Sequence, residues 1–377
     1  MRPIHFNTAG AGLASPAVAE TMAAYLNAEF EHGAYEAEQM HIDALNAVRA
    51  GVAGLLNAPS SRNVALFDSG TRAWLTCVNA IGEWRGGGKV WTTPYEYAGN
   101  LLALRALCAR HDLRLEVVPL IENGDLDLAW IEAHADDTLR LMSAVHLPSG
   151  CGIVLPVASI GEILRRASPN ALYAVDACQS VGQLDIDVAR IGCDLLTAAG
   201  RKFLRGPRGT GFAVLSSRWL DRLGDHPVDL HAAEIPALDR YRLFDDSARR
   251  LELSEMHIAA LMGLKVAVDE ARGQDLAAAR QIYVALCERL ARHDDITLLH
   301  PGSAHSGIVS FVHRKRTPVE IVERLRACRI NAWKITGNHT PLYLGAKGID
   351  TAVRLSAHCT NAMSDIDALE RALSFSS

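Results

Sequence analysis

Lys202 is one of only six lysines in a chain whose lysines and arginines together number 38. It stands in "TAAGRKFLRGPRGTGFAVL" (197–215), behind a run of small residues, beside Arg201 and ahead of a glycine- and proline-rich turn. Arginine is the cation this chain prefers. A lysine kept here points to something arginine cannot do, which is to lose a proton and attack a carbonyl carbon. Of the other five, Lys89 opens a strand, Lys265 lies on a helix pattern, Lys315 sits in the solvated run "HRKR" and Lys347 in a glycine turn. Lys334 is the rival. Upstream, in "LYAVDACQSVGQ", Asp176 and Gln179 close an apolar run. A buried carboxylate is costly without a partner, and no Arg or Lys nearby in sequence supplies one. Asp176 needs either a cation from elsewhere or the backbone donors of a helix that it caps.

Three further clusters carry reactive or cofactor-binding types. "ALFDSGTRAW" sets Ser69, Gly70 and Thr71 where a strand run gives way to a helix pattern. Free backbone N–H groups there suit a phosphate, and equally an ordinary serine N-cap. "TTPYEYAGN" offers Tyr95, Glu96 and Tyr97, with rings able to cover a planar cofactor or to fill a core. "SAVHLPSGCGIVLPV" ends its strand run on His146, with Ser149 three residues on; the histidine suits a site or a satisfied place in the core.

Each of these residues follows a short apolar run. "VALF" (64–67), "KVWTT" (89–93), "LRLEVVPL" (113–120), "LRLMSAVH" (139–146), "ALYAVDA" (171–177), "DLLTAAG" (194–200) and "GFAVLSS" (211–217) read as strands. Several are apolar nearly throughout, as strands covered on both faces are. Helix patterns lie between them, as at 98–111 and 156–167. The alternation predicts an α/β fold with a mostly parallel sheet and helices on both sides. Ligands of such sheets bind beyond the carboxyl ends of the strands, where the candidate residues fall. After about residue 250 the texture changes to a long helix, "EMHIAALMGLKVAVDEARG", and a smaller lobe. That lobe reads as helix 275–293, strand "GIVSFVH" (307–313), helix 317–328 and a final helix from about Ser364. Two domains are expected, a large one over 15–250 and a small one from 1–14 with 251–377.

Composition narrows the classes. The 377 residues are 49% hydrophobic, ample for two lobes, and a net charge of −5 argues against a nucleic-acid partner. Apolar stretches break well before the ~18 residues of a membrane span, so no membrane partner is expected. "MRPIHFNTAGAG" lacks the apolar core of a signal peptide, which favours the cytoplasm. The cysteines at 77, 108, 151, 178, 193, 287, 328 and 359 form no CxxC pair and no zinc-spaced cluster with His. Reduced thiols and no metal site are expected.

An acid ending one strand and an amine ending the next are what pyridoxal 5'-phosphate requires. The amine forms the Schiff base, and the carboxylate keeps the ring nitrogen protonated so that the ring acts as an electron sink. Small residues and Arg201 would take the phosphate, an aromatic would cover the ring, and the pyridinium would be the missing cation for Asp176.

With these residues in place, the chain resembles the class V aminotransferase family of fold-type I pyridoxal-phosphate enzymes. That family includes cysteine desulfurases, isopenicillin N epimerase and the ergothioneine-pathway C–S lyases. The resemblance runs from "HFNTAGAG" to "RLSAHCTNAMSDIDALE", and "VDACQS", "GRKFLRGPRGTGF" and "RLSAHCTN" carry it most specifically. It implies a large domain on a mostly parallel seven-stranded sheet with a smaller α+β C-terminal domain. It implies that Lys202 bears the cofactor, that Asp176 meets the ring nitrogen and Gln179 the phenolate oxygen, and that Tyr97 stacks where desulfurases use histidine. Gly70 and Thr71 match the phosphate loop. Arg201 takes the place of a common His and can grip phosphate in a bidentate manner. Ser149 stands where desulfurases carry Asn, and Arg354 matches the arginine that holds the substrate α-carboxylate.

One departure bears on the reaction. Desulfurases need a cysteine on a mobile loop between the last strands, and the corresponding stretch here, "AWKITGNHTPLYL", has Thr340 at the expected position. A hydroxyl cannot accept sulfane sulfur. "SGTRAW" and "GRKFLRGPRGTGF" look most like the hercynylcysteine sulfoxide lyase and isopenicillin N epimerase-like branch. The resemblance therefore implies a C–S lyase acting on a cysteine S-conjugate or its sulfoxide by α,β-elimination, with pyruvate and ammonia as by-products. Epimerisation, with His146 or Tyr95 as proton donor, transamination and decarboxylation are the alternatives at the same site. A homodimer is implied as well. Loops 223–246 and 333–345 are long enough to shape a substrate pocket, with His231, Tyr241 and His339 as candidate specificity residues.

Overall fold

The computed structural model of the chain describes residues 3–82, 84 and 86–374. All seven apolar runs become strands of one sheet: β1 (Val64–Phe67), β2 (Lys89–Thr92), β3 (Arg114–Val117), β4 (Leu139–Val145), β5 (Leu172–Asp176), β6 (Leu195–Ala199) and β7 (Gly211–Leu215). Their order is β1-β7-β6-β5-β4-β2-β3. β7 runs antiparallel to both its neighbours and every other pairing is parallel. Along β5 the two-residue period sends Leu172 and Ala174 into one apolar cluster and Tyr173 and Val175 into another. This is why the run is apolar throughout: both of its faces are covered.

The covering helices include α1 (Pro16–His32), α2 (Ile42–Leu55), α3 (Gly70–Asn79), α4 (Ala98–His111) and α5 (Ile258–Arg272). α5 packs on α1 and α2, and its Ala259, Leu264 and Val268 share a cluster with Tyr173 and Val175 of the sheet. The helix expected to open the smaller lobe therefore belongs to the core of the larger body. Its apolar face matches α1 and α2 rather than the small sheet. The smaller lobe is an antiparallel sheet of β8 (Ile296–Leu298), β9 (Ile308–His313), β10 (Trp333–Thr336) and β11 (Thr351–Ser356), in the order β8-β9-β11-β10. Helices Leu276–Ala291, Pro318–Ala327 and Met363–Leu373 share a separate cluster with it. β10 lies in a stretch read from sequence as loop, and the other long loop contains a hairpin, Ala233–Ala237 with Arg240–Leu243.

Residues 4–13 strap the two bodies together. Ile4–His5 pair in parallel with Ile330–Asn331, and the Ala9 N–H donates to Ser356 Oγ at 2.8 Å. The Gly12 N–H then donates to Arg201 O at 2.8 Å, and Arg205 Nε to Leu13 O at 2.9 Å.

The edge strand β1 is held by a buried ion pair. Arg49 Nε on α2 donates to Glu252 Oε1 at 2.9 Å, and the same oxygen accepts from the Leu66 N–H at 2.8 Å. The Glu252 side chain has no exposed surface. Arg49→Ala leaves that carboxylate buried beside a single backbone donor, so urea unfolding should show a loss of about 3 kcal/mol. Among the described residues no helix is long and apolar enough to cross a membrane. Nor does any group of three or more His, Cys, Asp or Glu side chains there hold the geometry of a metal site.

Candidate active site

A cavity of about 260 Å³ opens at the carboxyl ends of β4, β5 and β6. Its lining includes Gly70, Thr71, Tyr97, Ser149, Asp176, Gln179, Arg201, Lys202 and Arg354. His146 is the predicted site residue that it leaves out. Val145 and Leu147 line the cavity, so strand alternation turns the side chain between them away. His146 is buried, its Nδ1 has no partner, and burial lowers its pKa to about 4, which keeps it neutral. Tyr95 is also absent from the lining. Its hydroxyl donates to Gly124 O at 2.5 Å and its ring packs on Tyr343 with centroids 4.6 Å apart. Of the candidate specificity residues, His339 lines the cavity, whereas His231 and Tyr241 do not.

Lys202 sits in the turn that leaves β6. Hydrogen bonds from Gly200 N–H to Thr210 O (3.0 Å) and from Arg205 N–H to Lys202 O (2.9 Å) fix that turn, and Arg205 takes left-handed backbone with φ +60°. Burial pushes the lysine pKa down and the Arg201 and Arg354 charges push the same way, against Cys178 and Asp176. A lowered pKa makes the free base, the nucleophile and proton acceptor, more available near neutral pH. Lys334 also lines the cavity, from an exposed position on β10.

Asp176 ends β5. Its Oδ2 accepts from Asn100 Nδ2 at 2.8 Å and its Oδ1 from the Cys178 N–H at 2.9 Å. Both donors are neutral, and among the described residues no Lys, Arg or His forms an ion pair with it. Gln179 Nε2 donates one of its two N–H groups to Ala9 O at 3.0 Å, and its Oε1 has no partner.

At the start of α3, Ser69 Oγ accepts from the Arg72 N–H at 3.1 Å, and the N–H groups of Gly70 and Thr71 have no acceptor within the helix. A Cβ on residue 70 would lie 2.5 Å from Cys178 Sγ, so only glycine lets this helix come so close to the turn after β5. Arg201, whose guanidinium donates to Gly10 O, faces the same cavity. Tyr97 precedes α4 with 37% of its surface exposed, leaving a free ring face.

Arg354 on β11 is buried, with only long contacts to Ser149 O (3.4 Å) and Asn7 Oδ1 (3.5 Å), and its Nε has no partner. Burial, helped by Arg201, lowers its pKa to about 10. A guanidinium this poorly satisfied is a receptor for an anion. Trp333 of β10 stands opposite it in register and also lines the cavity. Thr340 lies outside the lining, buried against Gly150 with its Oγ1 unpaired.

Residues 4–369 match the sequence profile of the aminotransferase class-V family. The chain belongs to the class-V aminotransferases. Among curated proteins it is 25% identical to a probable cysteine desulfurase of Pyrococcus abyssi, over 97% of this chain and 92% of that one. It is 26% identical to a cysteine desulfurase of Dickeya dadantii, over 86% and 79%. Among solved structures, the cysteine desulfurase of Thermococcus onnurineus NA1 superposes with a TM-score of 0.87 at 23% identity, covering 98% of this chain and 93% of that one. The cystine C–S lyase C-DES superposes with a TM-score of 0.86 at 22% identity, covering 100% and 98%. These two likenesses establish the fold-type I architecture.

Class-V aminotransferases use pyridoxal phosphate, and the cavity fits it. The fit rests on the uncapped N–H groups and cramped glycine of α3 for the phosphate. Asp176 offers a carboxylate with no cation of its own, and Lys202 a half-buried amine. Sequence reasoning missed Asn100, which donates to Asp176, and the main chain of Ala9–Gly10. The signal for Asn100 was its place in the first turn of α4, behind a strand of the same sheet.

Proposed function

We propose that this class-V aminotransferase is a carbon–sulfur lyase that cleaves a cysteine S-conjugate or its sulfoxide by α,β-elimination, releasing pyruvate and ammonia. The observation that carries the reading is an amine, an acid and a poorly satisfied guanidinium around one cavity, with no reactive thiol among the described residues placed to take up sulfur. Arg354 binds the substrate carboxylate in its open fork. Pyridoxal phosphate, when bound, supplies an aldehyde for the substrate amine and a ring that draws off the electron pair left at Cα. Lys202 takes the Cα proton, aided by its lowered pKa. Asp176 holds a proton on the ring nitrogen. The C–S bond at Cβ breaks, sulfur leaves as a thiolate or sulfenate, and the three-carbon remainder is hydrolysed.

The cavity supports the two nearest rival reactions less well. Desulfuration of cysteine needs a nucleophilic thiol, and Thr340 occupies the loop position. Cys178 lines the cavity, but burial pushes its thiol pKa up, away from the reactive thiolate. Epimerisation needs a proton donor on the face opposite Lys202, and the two donors expected from sequence, His146 and Tyr95, do not line the cavity. The same reading makes the protein a cytoplasmic homodimer. A second cavity of about 380 Å³ shares Asp68 and Gly209 with the first and carries the exposed Leu253, and a second copy would cover it. All eight cysteines are free, which suits a reducing compartment.

The test is pyruvate release from a panel of cysteine conjugates and their sulfoxides, with light scattering for the mass in solution. Pyruvate in step with thiol or sulfenate release supports elimination. Inversion with α-deuterium exchange and no pyruvate, or persulfide formed on the protein from cysteine, overturns it.

A further inference from the structure

Behind Asp176 lies a second acid. Glu96, in the turn after β2, has no exposed surface. Its Oε2 accepts from Thr92 Oγ1 (3.0 Å) and Ser143 Oγ (2.6 Å), and its Oε1 from the Tyr97 N–H (3.0 Å) and Asn100 Nδ2 (3.0 Å). Asn100 uses that same nitrogen to donate to Asp176 Oδ2 at 2.8 Å. Two carboxyl groups flank the nitrogen of one amide, and their oxygens lie within about 6 Å of each other. Two acceptors fix which end of the amide faces them, since an amide oxygen there would meet negative charge on both sides. We propose that Glu96 is a positioning residue for the cofactor ring: as an anion it acts through the Asn100 amide on Asp176 and strengthens the hold on a protonated ring nitrogen.

The groups facing Glu96 come from four elements. Thr92 of β2, Ser143 of β4 and Asn100 of α4 are uncharged donors, and Asp176 of β5 is the charged one. Burial raises the Glu96 pKa to about 7; the hydrogen bonds from Ser143 and Asn100 lower it and the Asp176 charge raises it. Glu96 is therefore neutral below that pH and an anion above it. A cation drawn to Asp176 feels one neighbouring charge at acid pH and two at alkaline pH. A second unit charge several ångströms behind Asp176 is worth about tenfold in affinity.

The inference rests on Asp176 meeting the ring nitrogen, but not on which bond of the substrate breaks. Stripped protein titrated with pyridoxal phosphate at a series of pH values tests it. The ratio of Kd for Glu96→Gln to Kd for wild type should rise from about 1 near pH 6 to about tenfold near pH 8.5. Titrations of the phosphate and of Lys202 are common to both proteins and cancel in the ratio. Ser143→Ala keeps the acid but removes a donor, so it should move the midpoint of the wild-type step to higher pH; it decides the matter if the glutamine variant does not fold. A ratio flat in pH, or a Ser143→Ala midpoint that does not move, overturns the inference. Failure of wild type to bind pyridoxal phosphate at any pH would instead overturn the cofactor assignment.

Discussion

Lys202→Ala should give a folded protein from which pyridoxal phosphate dialyses away, with no visible band from a lysine adduct and with elimination reduced by at least about 10,000-fold. Two roles are lost together, the covalent attachment and the base at Cα, and no neighbour replaces them. Arg201 cannot lose its proton, and Lys334 is exposed on another strand. Removal of the amine should not destabilise the empty fold. Burial depresses the folded-state pKa of Lys202 below the ordinary 10.5, so its charge opposes folding below that value and the opposition fades as pH rises toward it. Wild-type apoprotein should therefore gain stability with rising pH relative to the alanine variant. A band that survives Lys202→Ala and disappears in Lys334→Ala would move the site to the other lysine.

Arg354→Ala should lower kcat/KM by about 1,000-fold, mostly through KM, because the substrate carboxylate loses its only buried guanidinium partner on β11. The apoprotein should melt no lower than wild type. Its contacts at 3.4 and 3.5 Å return little of the cost of burying a cation, so deletion removes a burden from the empty fold. Arg354→Lys should restore only part of the affinity, since an ammonium is a point charge and not a planar fork. Unchanged KM, or a large fall in apoprotein stability, would make Arg354 a structural residue.

Much of the site was legible because strand ends announce themselves. An apolar run that stops on Asp176, and another that stops ahead of Lys202, place both side chains at one edge of a parallel sheet from the sequence pattern alone. His146 shows where that logic fails. A residue one position past a strand faces the cavity or the core according to register, and the apolar residues around it do not reveal which. Asn100 escaped notice, and Glu96 was named without a role, for a different reason. Their importance lies in contacts between α4, β2, β4 and β5, and a polar residue in a first helical turn or just ahead of it ordinarily reads as local capping. The helix at 258–272 was found, but its allegiance was not. An apolar face records that burial occurs, while its partner is set by α1 and α2, some two hundred residues earlier in the chain.

The strap of residues 4–13 bears on the order of events during synthesis. Ala9 is translated 347 residues before Ser356, whose hydroxyl accepts its N–H, and the carbonyl of Gly10 receives the Arg201 guanidinium. A nascent chain can lay down the seven strands, and tie residues 9–13 to Gln179, Arg201 and Arg205, as they leave the ribosome, yet residues 4–8 lack their partners on Ile330–Asn331 and β11 until the last strands emerge. Ribosome-bound chains halted ahead of residue 330 should leave residues 4–8 open to protease, and release should close them.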